Sequence, residues 1–188
     1  FDQPFETTRL RWVARLDHLL DLLTSGVAFR ALLLDGQSIL IEDYLALRPE
    51  RYEQIETLVQ DGKLWLGPWY VQPDPALVSA ESLIRNLSLG LRTARTFGLA
   101  CEVVYLPGGG GAIAQLPQLL RGFRLDSIVL VRGAGESPAE FVWEAPDGSQ
   151  ALVAYMREGI DPLNDDSLQD VRERLAPYAA SGHLLIPN

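Results

Sequence analysis

The sequence predicts an α/β protein whose largely parallel sheet is covered by helices. Segments that are apolar throughout, such as 29–34 and 126–131, alternate with helical patterns of about 10 to 18 residues, which is typical of buried parallel strands. Two further apolar segments flank Pro146-Asp147-Gly148, whose composition favours a tight turn between antiparallel strands. We therefore expect mostly parallel strands with one β-hairpin, and both a barrel and an open, doubly wound sheet fit this pattern.

The first half of the chain is predicted to begin with a long helix over 6–23, which ends at Ser25-Gly26. One face of this helix is apolar and is expected to be buried; its residues are Leu10, Val13, Leu16, Leu19, Leu20 and Leu23. Strands and helices then alternate, with a strand at 29–34, a helix at 39–47, a helix at 49–60 with Pro49 in its first turn, a strand at 63–67 and a helix at 81–97 capped by Gly98.

The second half of the chain continues the alternation. It is predicted to contain a strand at 101–107, a helix at 113–123, a strand at 126–131, hairpin strands at 141–145 and 150–156, a helix at 167–178 with Ser167 as its N-cap, and a strand at 183–186. The total is about five parallel strands and the hairpin. Because a full α/β barrel takes about 250 residues, a barrel built from this 188-residue chain is expected to be incomplete.

Composition and charge exclude several classes of partner. The apolar fraction of 47% supports a sizeable core, and the net charge of −9 makes nucleic acid and polyanionic substrates unfavourable partners. The one cysteine, Cys101, excludes an internal disulfide framework, is expected to be a small buried side chain, and fits a reducing, cytosolic setting. The sequence contains no apolar run of the ~20 residues that span a membrane, so we expect no membrane partner.

Four consecutive glycines follow the strand at 101–107, at a position where α/β enzymes display catalytic groups. Gly109-x-Gly111-x-x-Ala114 matches a loose dinucleotide-binding fingerprint, whose backbone N–H groups cradle a phosphate. Pro107 at the strand end and the lack of an acidic residue ~20 positions further on argue against that interpretation.

Two polar segments follow other predicted strands. The segment 67–74 combines aromatic and hydrogen-bonding groups, which suits a sugar, although a structural loop with Trp69 in the core fits equally well. Its candidate binding residues are Trp69, Tyr70, Gln72 and Asp74. Asp35, Gln37, Glu42 and Asp43 form the second group; the carboxylates there suit hydroxyl binding or acid–base catalysis, or else a turn and a helix cap.

Arg132 and the two histidines complete the set of candidate residues. Arg132 ends the strand at 126–131 and could orient a carboxylate, or it could be a surface arginine. His18 and His183 have no partner at metal-ligand spacing, so we expect both to be structural and no metal site to be formed by this sequence.

Five ordered motifs together resemble glycoside hydrolase family 38, the zinc-dependent retaining α-mannosidases. They are Phe29-Arg-Ala-Leu-Leu-Leu-Asp-Gly-Gln37, Ile41-Glu-Asp-Tyr-Leu45, Gly67-Pro-Trp-Tyr-Val-Gln-Pro-Asp74, Ser79-Ala-Glu-Ser-Leu-Ile-Arg-Asn86, and Tyr105-Leu-Pro107 with Ala114-Gln-Leu-Pro117. The resemblance runs from about residue 2 to residue 188 and implies a (β/α)7-type barrel, with the whole chain as a partial catalytic domain that lacks the first strand and the C-terminal part.

The resemblance also implies function and setting. It implies a double-displacement mechanism on mannose-containing oligosaccharides, substrate contacts by Asp35, Gln37, Trp69, Tyr70, Gln72 and Asp74, and a cytoplasmic homo-oligomer. Glu81 is a further polar position that the motifs retain, and Arg132 matches a family arginine beside the nucleophile.

The chain departs from the family where the chemistry takes place. Gly108 stands where the family has an aspartate that is both nucleophile and zinc ligand, and the segments that supply the general acid and the other ligands have no match. Zinc therefore belongs to the intact family and is not supportable by this chain as written, since a retaining glycosidase needs two carboxyl groups and zinc needs three or four ligands. The chain as written is expected to be inactive. The alternatives are a catalytically dead glycan-binding relative and a deacetylase-like enzyme on a related barrel.

Overall fold

The computed structural model describes residues 4–26, 29–108, 112–157 and 167–186. The chain divides into two compact units. The first unit comprises Phe1–Val71 and Asn86–Cys101, and the second comprises Gln72–Arg85 and Glu102–Asn188. Gly109 and Gly111 of the nucleotide-binding fingerprint lie outside the described residues.

Among the described residues, the first unit contains three helices, two short strands and part of a fourth helix. In chain order these are α1 (Phe5–Ser25), β1 (Leu32–Leu33), α2 (Ile39–Leu45), a 3-10 turn (Pro49–Arg51), α3 (Tyr52–Gln60), β2 (Leu64–Trp65) and the second half of α4 (Ala80–Arg95). Strands β1 and β2 pair in parallel, with Leu32 opposite Leu64. The predicted parallel alternation is therefore confirmed here, although each strand is shorter than its apolar segment.

Helix α1 packs against the core of the first unit from Val13 onward. Val13, Leu16, Leu20 and Leu23 are buried at helical spacing, and Gly26 ends the helix in the left-handed conformation with φ 67°. Leu10 is 65% exposed, so its predicted burial is wrong. The core cluster begins at Val13, and the first turns of α1 extend beyond it.

The second unit is built on a four-stranded sheet in the order β3-β4-β6-β5. Its elements are the first half of α4, β3 (Val103–Leu106), α5 (Leu116–Gly122), β4 (Ser127–Leu130), β5 (Glu140–Glu144), β6 (Gln150–Tyr155), α6 (Leu168–Leu175) and a 3-10 turn (Ala176–Tyr178). Strands β3, β4 and β6 run parallel, and β5 pairs antiparallel with β6. The predicted hairpin and the α/β class are thus confirmed.

The structure confirms one predicted helix cap, ends another helix earlier than predicted, and lacks one predicted strand. Ser167 caps α6 through a capping box with Asp170, as its position before the helix predicts. Helix α4 ends at Arg95, three residues before Gly98. The strand predicted at 183–186 is wrong, since those described residues belong to no strand; the His183 N–H bonds Ser181 Oγ at 3.2 Å, and Leu185 is 47% exposed.

Candidate functional site

The eight sequence-predicted site residues fall into both units. Asp35, Gln37, Trp69 and Tyr70 belong to the first unit, and Gln72, Asp74, Gly108 and Arg132 belong to the second. The first set follows β1 and β2, and Gly108 and Arg132 follow β3 and β4, so these residues lie beyond the carboxyl ends of parallel strands, where ligands bind in α/β folds. Gln72 and Asp74 precede α4.

In the first unit, the segments that follow β1 and β2 are joined by backbone hydrogen bonds. Gln37 and Trp69 form an isolated parallel bridge beyond the strands. The Trp69 N–H donates to the Gly36 carbonyl at 3.2 Å, and the Ser38 N–H donates to the Trp69 carbonyl at 3.0 Å. The structure therefore brings the Asp35–Gln37 turn and the aromatic loop together.

Asp35 and Gln37 form a polar pair at this edge. Gln37 Nε2 donates to Asp35 Oδ2 at 2.6 Å, and the Gln37 side chain is largely buried. Asp35 is exposed as a residue, but the protein atoms crowded around its carboxyl desolvate it and raise its pKa above the usual value of 3.8, against the opposing effect of the Gln37 hydrogen bond. The pair offers both an acceptor and an amide to a hydroxylated ligand.

Trp69 lies in the core, with 0% of its side chain exposed. This position matches the structural alternative for the aromatic loop. Close packing surrounds it: a Cβ placed on Gly90 of α4 would lie 2.2 Å from the Trp69 carbonyl carbon and 2.3 Å from the Pro68 oxygen. Trp69 therefore supports the loop from inside.

Tyr70 is half-buried and is held through its hydroxyl and its backbone. The hydroxyl donates to Glu42 Oε2 at 2.6 Å, while Asn86 Oδ1 accepts from the Tyr70 N–H at 2.7 Å. The hydrogen bond to Glu42, together with burial and the negative charges of Glu42 and Asp43, raises the pKa of the Tyr70 hydroxyl. Its ring is the aromatic surface of this loop that solvent can reach.

The Glu42-Asp43 pair has two separate sets of contacts. Glu42 binds Tyr70 and also accepts from Thr93 Oγ1 at 3.1 Å. Asp43 lies 3.6 Å from the Arg9 guanidinium in a weak ion pair. Neither carboxylate caps α2 in the structure, because the N-cap residue is Ser38.

In the second unit, Gly108 and Arg132 follow neighbouring parallel strands. Leu106 of β3 pairs with Leu130 of β4, and the Val131 N–H extends this pairing to the Leu106 carbonyl at 3.1 Å. Gly108 and Arg132 are both exposed, and a Cβ on Gly108 would meet no atom within 4 Å. An open space therefore stands where the resemblance places a catalytic carboxylate.

Gln72 and Asp74 lie in the same unit, before α4. Gln72 Nε2 donates to the Tyr105 carbonyl of β3 at 2.8 Å, which anchors the segment to the sheet. Asp74 Oδ1 accepts from the Ala76 N–H at 3.2 Å in a local turn. Gln72 is therefore held against β3, whereas this contact of Asp74 stays within its own segment.

The described residues do not fit a zinc ion. Among them, no three His, Cys, Asp or Glu side chains come together in a way that could hold a metal. His18 and His183 are exposed, and Cys101 is a buried free thiol. In the same described part of the chain, none of the helices is long and apolar enough to cross a membrane.

Sequence reasoning gave no role to the residues that hold the aromatic loop in place, although Asn86 ends one of the motifs. Asn86, Gly90 and Thr93 all lie on α4, and each contacts a residue from a distant part of the chain. The signal that could have found them is compositional, since Asn, Gly and Thr are poor helix formers in a helix interior.

Parallel strands whose carboxyl ends carry carboxylate, amide and aromatic groups are typical of α/β enzyme domains. The family model "Glycosyl hydrolases family 38 N-terminal domain" matches residues 4–181. The chain belongs to this family, as its motifs indicated.

Relatives and a solved structure agree with this assignment. A protein of Halalkalibacterium halodurans named "Putative mannosylglycerate hydrolase" is 39% identical over 164 residues, which cover 79% of this chain and 18% of the relative. An alpha-mannosidase of Saccharomyces cerevisiae is 27% identical over 197 residues, covering 97% of the chain and 18% of the relative. The crystal structure of an alpha-mannosidase from Enterococcus faecalis matches 99% of this chain and 23% of that chain, with a TM-score of 0.86 and 29% identity. The chain thus spans about a fifth of the length of these relatives.

Proposed function

We propose that this chain is the sugar-binding part of a retaining α-mannosidase that hydrolyses the terminal α-mannosides of glycans. The observation that carries the proposal is the Asp35–Gln37 pair beside the aromatic loop. A carboxylate, an amide and an accessible tyrosine ring are the groups that bind sugar hydroxyls and stack on a sugar's C–H face. Mannose-containing oligosaccharides are the proposed ligands.

The finer features of the family form part of the same proposal. The chain would contribute to a (β/α)7-type barrel, as one portion of a catalytic domain in a cytoplasmic homo-oligomer. In the intact family zinc would supply Lewis-acid chemistry to the bound sugar. Since the residues described for this chain do not fit zinc, we assign no step to the metal.

Binding and hydrolysis are proposed to be separable in this chain. Gly108 has no side chain to attack the sugar, and a retaining mechanism needs a nucleophilic carboxylate ~5–5.5 Å from an acid. Asp35, Gln37, Tyr70, Gln72 and Asp74 are the proposed substrate contacts, with Trp69 as the internal support of the loop. Hydrolysis by the chain as written is expected to be absent.

The test is titration of the 188-residue chain with methyl α-D-mannopyranoside by calorimetry, with methyl α-D-galactopyranoside as the comparison sugar. We expect saturable binding of the mannoside that Asp35→Asn weakens. The control is Asp61→Asn, which also removes one negative charge. Asp61 follows α3 and precedes β2, so it lies at the end of β2 away from the aromatic loop. Equal binding of both sugars, or no binding of the mannoside, would count against the proposal. Hydrolysis is tested separately: release of 4-nitrophenol from 4-nitrophenyl α-mannoside would contradict the expectation that this chain does not hydrolyse mannosides.

A mannoside with a carboxylate on its aglycone is a second candidate substrate. It is favoured by the relative named for mannosylglycerate. If this candidate is correct, mannosylglycerate binds more tightly than methyl α-mannoside in the same titration, and equal affinities would exclude it.

A further inference from the structure

The Glu42 carboxylate uses both oxygens in contacts with other elements. Oε2 accepts from the Tyr70 hydroxyl at 2.6 Å, and Oε1 accepts from Thr93 Oγ1 at 3.1 Å. Thr93 is only 7% exposed and lies on α4, whereas Glu42 lies on α2. The carboxylate therefore links the Tyr70 ring to a fixed point in the first unit.

The backbone of Tyr70 is fixed by other groups. Asn86 Oδ1 accepts from the Tyr70 N–H at 2.7 Å and from the Val71 N–H at 3.1 Å, and Asn86 Nδ2 donates to the Val71 carbonyl at 2.7 Å. The Ile39 N–H donates to the Tyr70 carbonyl at 2.9 Å. Since the loop backbone has its own anchors, what Glu42 adds is control of the side-chain orientation.

We propose that Glu42 is a positioning residue that holds the Tyr70 ring in place for a bound mannoside. The inference rests on the proposed function, because it assumes that the ring contacts the sugar. Both Glu42 oxygens accept from protein donors, and we therefore assign Glu42 a role that acts through Tyr70. Asp43 cannot replace it, since that carboxylate faces Arg9.

The expected effect is a moderate loss of affinity. Immobilising one side chain on binding costs roughly 0.5–1.5 kcal/mol, which corresponds to about a 2.3-fold to 13-fold change in Kd. Glu42→Ala frees the ring, so methyl α-mannoside should bind more weakly by a factor in this range. Glu42→Gln should bind as the parent does, because its amide oxygen accepts from Tyr70 and its amide nitrogen donates to Thr93 Oγ1.

Two further variants separate positioning from a structural role. Asp43→Ala removes the neighbouring carboxylate of α2 and should leave the Kd unchanged. Thr93→Val is a nearly isosteric change that removes one of the two contacts to Glu42 and should weaken binding less than Glu42→Ala does. Circular dichroism and thermal unfolding establish that each variant is folded before its Kd is measured.

The deciding experiment is a double-mutant cycle between Glu42→Ala and Tyr70→Phe, read out by calorimetric titration with methyl α-mannoside. If Glu42 acts through the Tyr70 hydroxyl, Glu42→Ala has no added effect in the Tyr70→Phe background. The inference is overturned if the losses of affinity from the two substitutions are additive, or if the Kd of Glu42→Ala lies within twofold of the parent's Kd. In either case the proposed function stands as long as the parent binds the mannoside. If the parent itself does not bind the mannoside, the proposed function fails and the inference fails with it.

Discussion

Gly90 of α4 packs directly against the peptide bond that joins Trp69 to Tyr70. A Cβ at position 90 would lie 2.2 Å from the Trp69 carbonyl carbon and 2.3 Å from the Tyr70 nitrogen, distances that real Cβ atoms essentially never show. The aromatic loop can rest on the helix only because this position has no side chain. A glycine in the middle of a helix costs up to about 1 kcal/mol in helix propensity, and here that cost permits close backbone contact.

Gly90→Ala is expected to destabilise the protein despite alanine's better helix propensity. The clash is with backbone atoms, which cannot move aside as a flexible side chain can, and overpacking of this kind costs typically 1–3 kcal/mol. Urea denaturation followed by tryptophan fluorescence measures the loss. Gly122→Ala at the end of α5 is the matched control, since a Cβ there meets no atom within 4 Å, and it should be neutral or slightly stabilising. Equal effects of the two substitutions would show that the packing argument is wrong.

Asn86→Ala is expected to loosen the aromatic loop. It removes one acceptor shared by two N–H groups and one donor to the Val71 carbonyl, and it leaves the Tyr70 N–H only its longer contact to the Asn86 backbone carbonyl at 3.3 Å. Each hydrogen bond lost in this way contributes about 0.5–1.5 kcal/mol. Hydrogen exchange of the Tyr70 amide should accelerate, and the free energy of unfolding should fall by about 1–2 kcal/mol. Asn86→Asp keeps the acceptor and should lose less. Unchanged exchange at Tyr70 in Asn86→Ala would count against this role of the side chain.

The sequence predicted the elements whose signals are local. The Ser167 cap, the turn at Pro146-Asp147-Gly148 and the Gly26 helix end were all readable because each depends on neighbouring residues. The strand at 183–186 failed because an apolar segment is a strand only if a neighbour pairs with it, and pairing is set by the rest of the fold.

The candidate site was predictable in part for the same reason. Asp35, Gln37 and Tyr70 follow predicted strands, so their common location at one sheet edge could be inferred. The burial of Trp69, the Glu42–Tyr70 contact and the requirement for Gly90 arise from packing between segments distant in sequence. Periodicity carries no information about such contacts.

The attachment of the 176–183 segment to β5 is expected to depend on pH. Glu140 accepts from Ser181 Oγ at 2.6 Å and from the Ala180 N–H at 2.7 Å, and these hydrogen bonds lower its pKa below the usual 4.5. Because the folded pKa is depressed, the stabilisation is present above pH 4.5 and is lost as pH falls through the lowered value.

Glu140→Gln tests this dependence. The difference in unfolding free energy between the parent and Glu140→Gln should be largest near neutral pH and should shrink below about pH 4.5, as urea denaturation at several pH values measures. Glu102→Gln removes an equal charge at the exposed residue before β3 and serves as the control. A parent–variant difference that stays constant from pH 7 to pH 3 would exclude the link to Glu140.

Asp35→Asn should separate stability from ligand binding. The pKa of Asp35 is raised, chiefly because burial disfavours its charged form, so ionisation of Asp35 above pH 3.8 works against folding. Asparagine removes that penalty, accepts the Gln37 hydrogen bond through its amide oxygen, and tolerates the left-handed φ of 48° better than most residues do. The variant should therefore be at least as stable as the parent at pH 7 in urea denaturation.

The mannoside affinity of Asp35→Asn should be weaker than that of the parent and independent of pH, whereas the parent loses affinity as pH falls through the raised pKa of Asp35. A variant that loses stability and affinity together would mean that Asp35 is a structural residue, and the proposed sugar contact at the end of β1 would have to be abandoned.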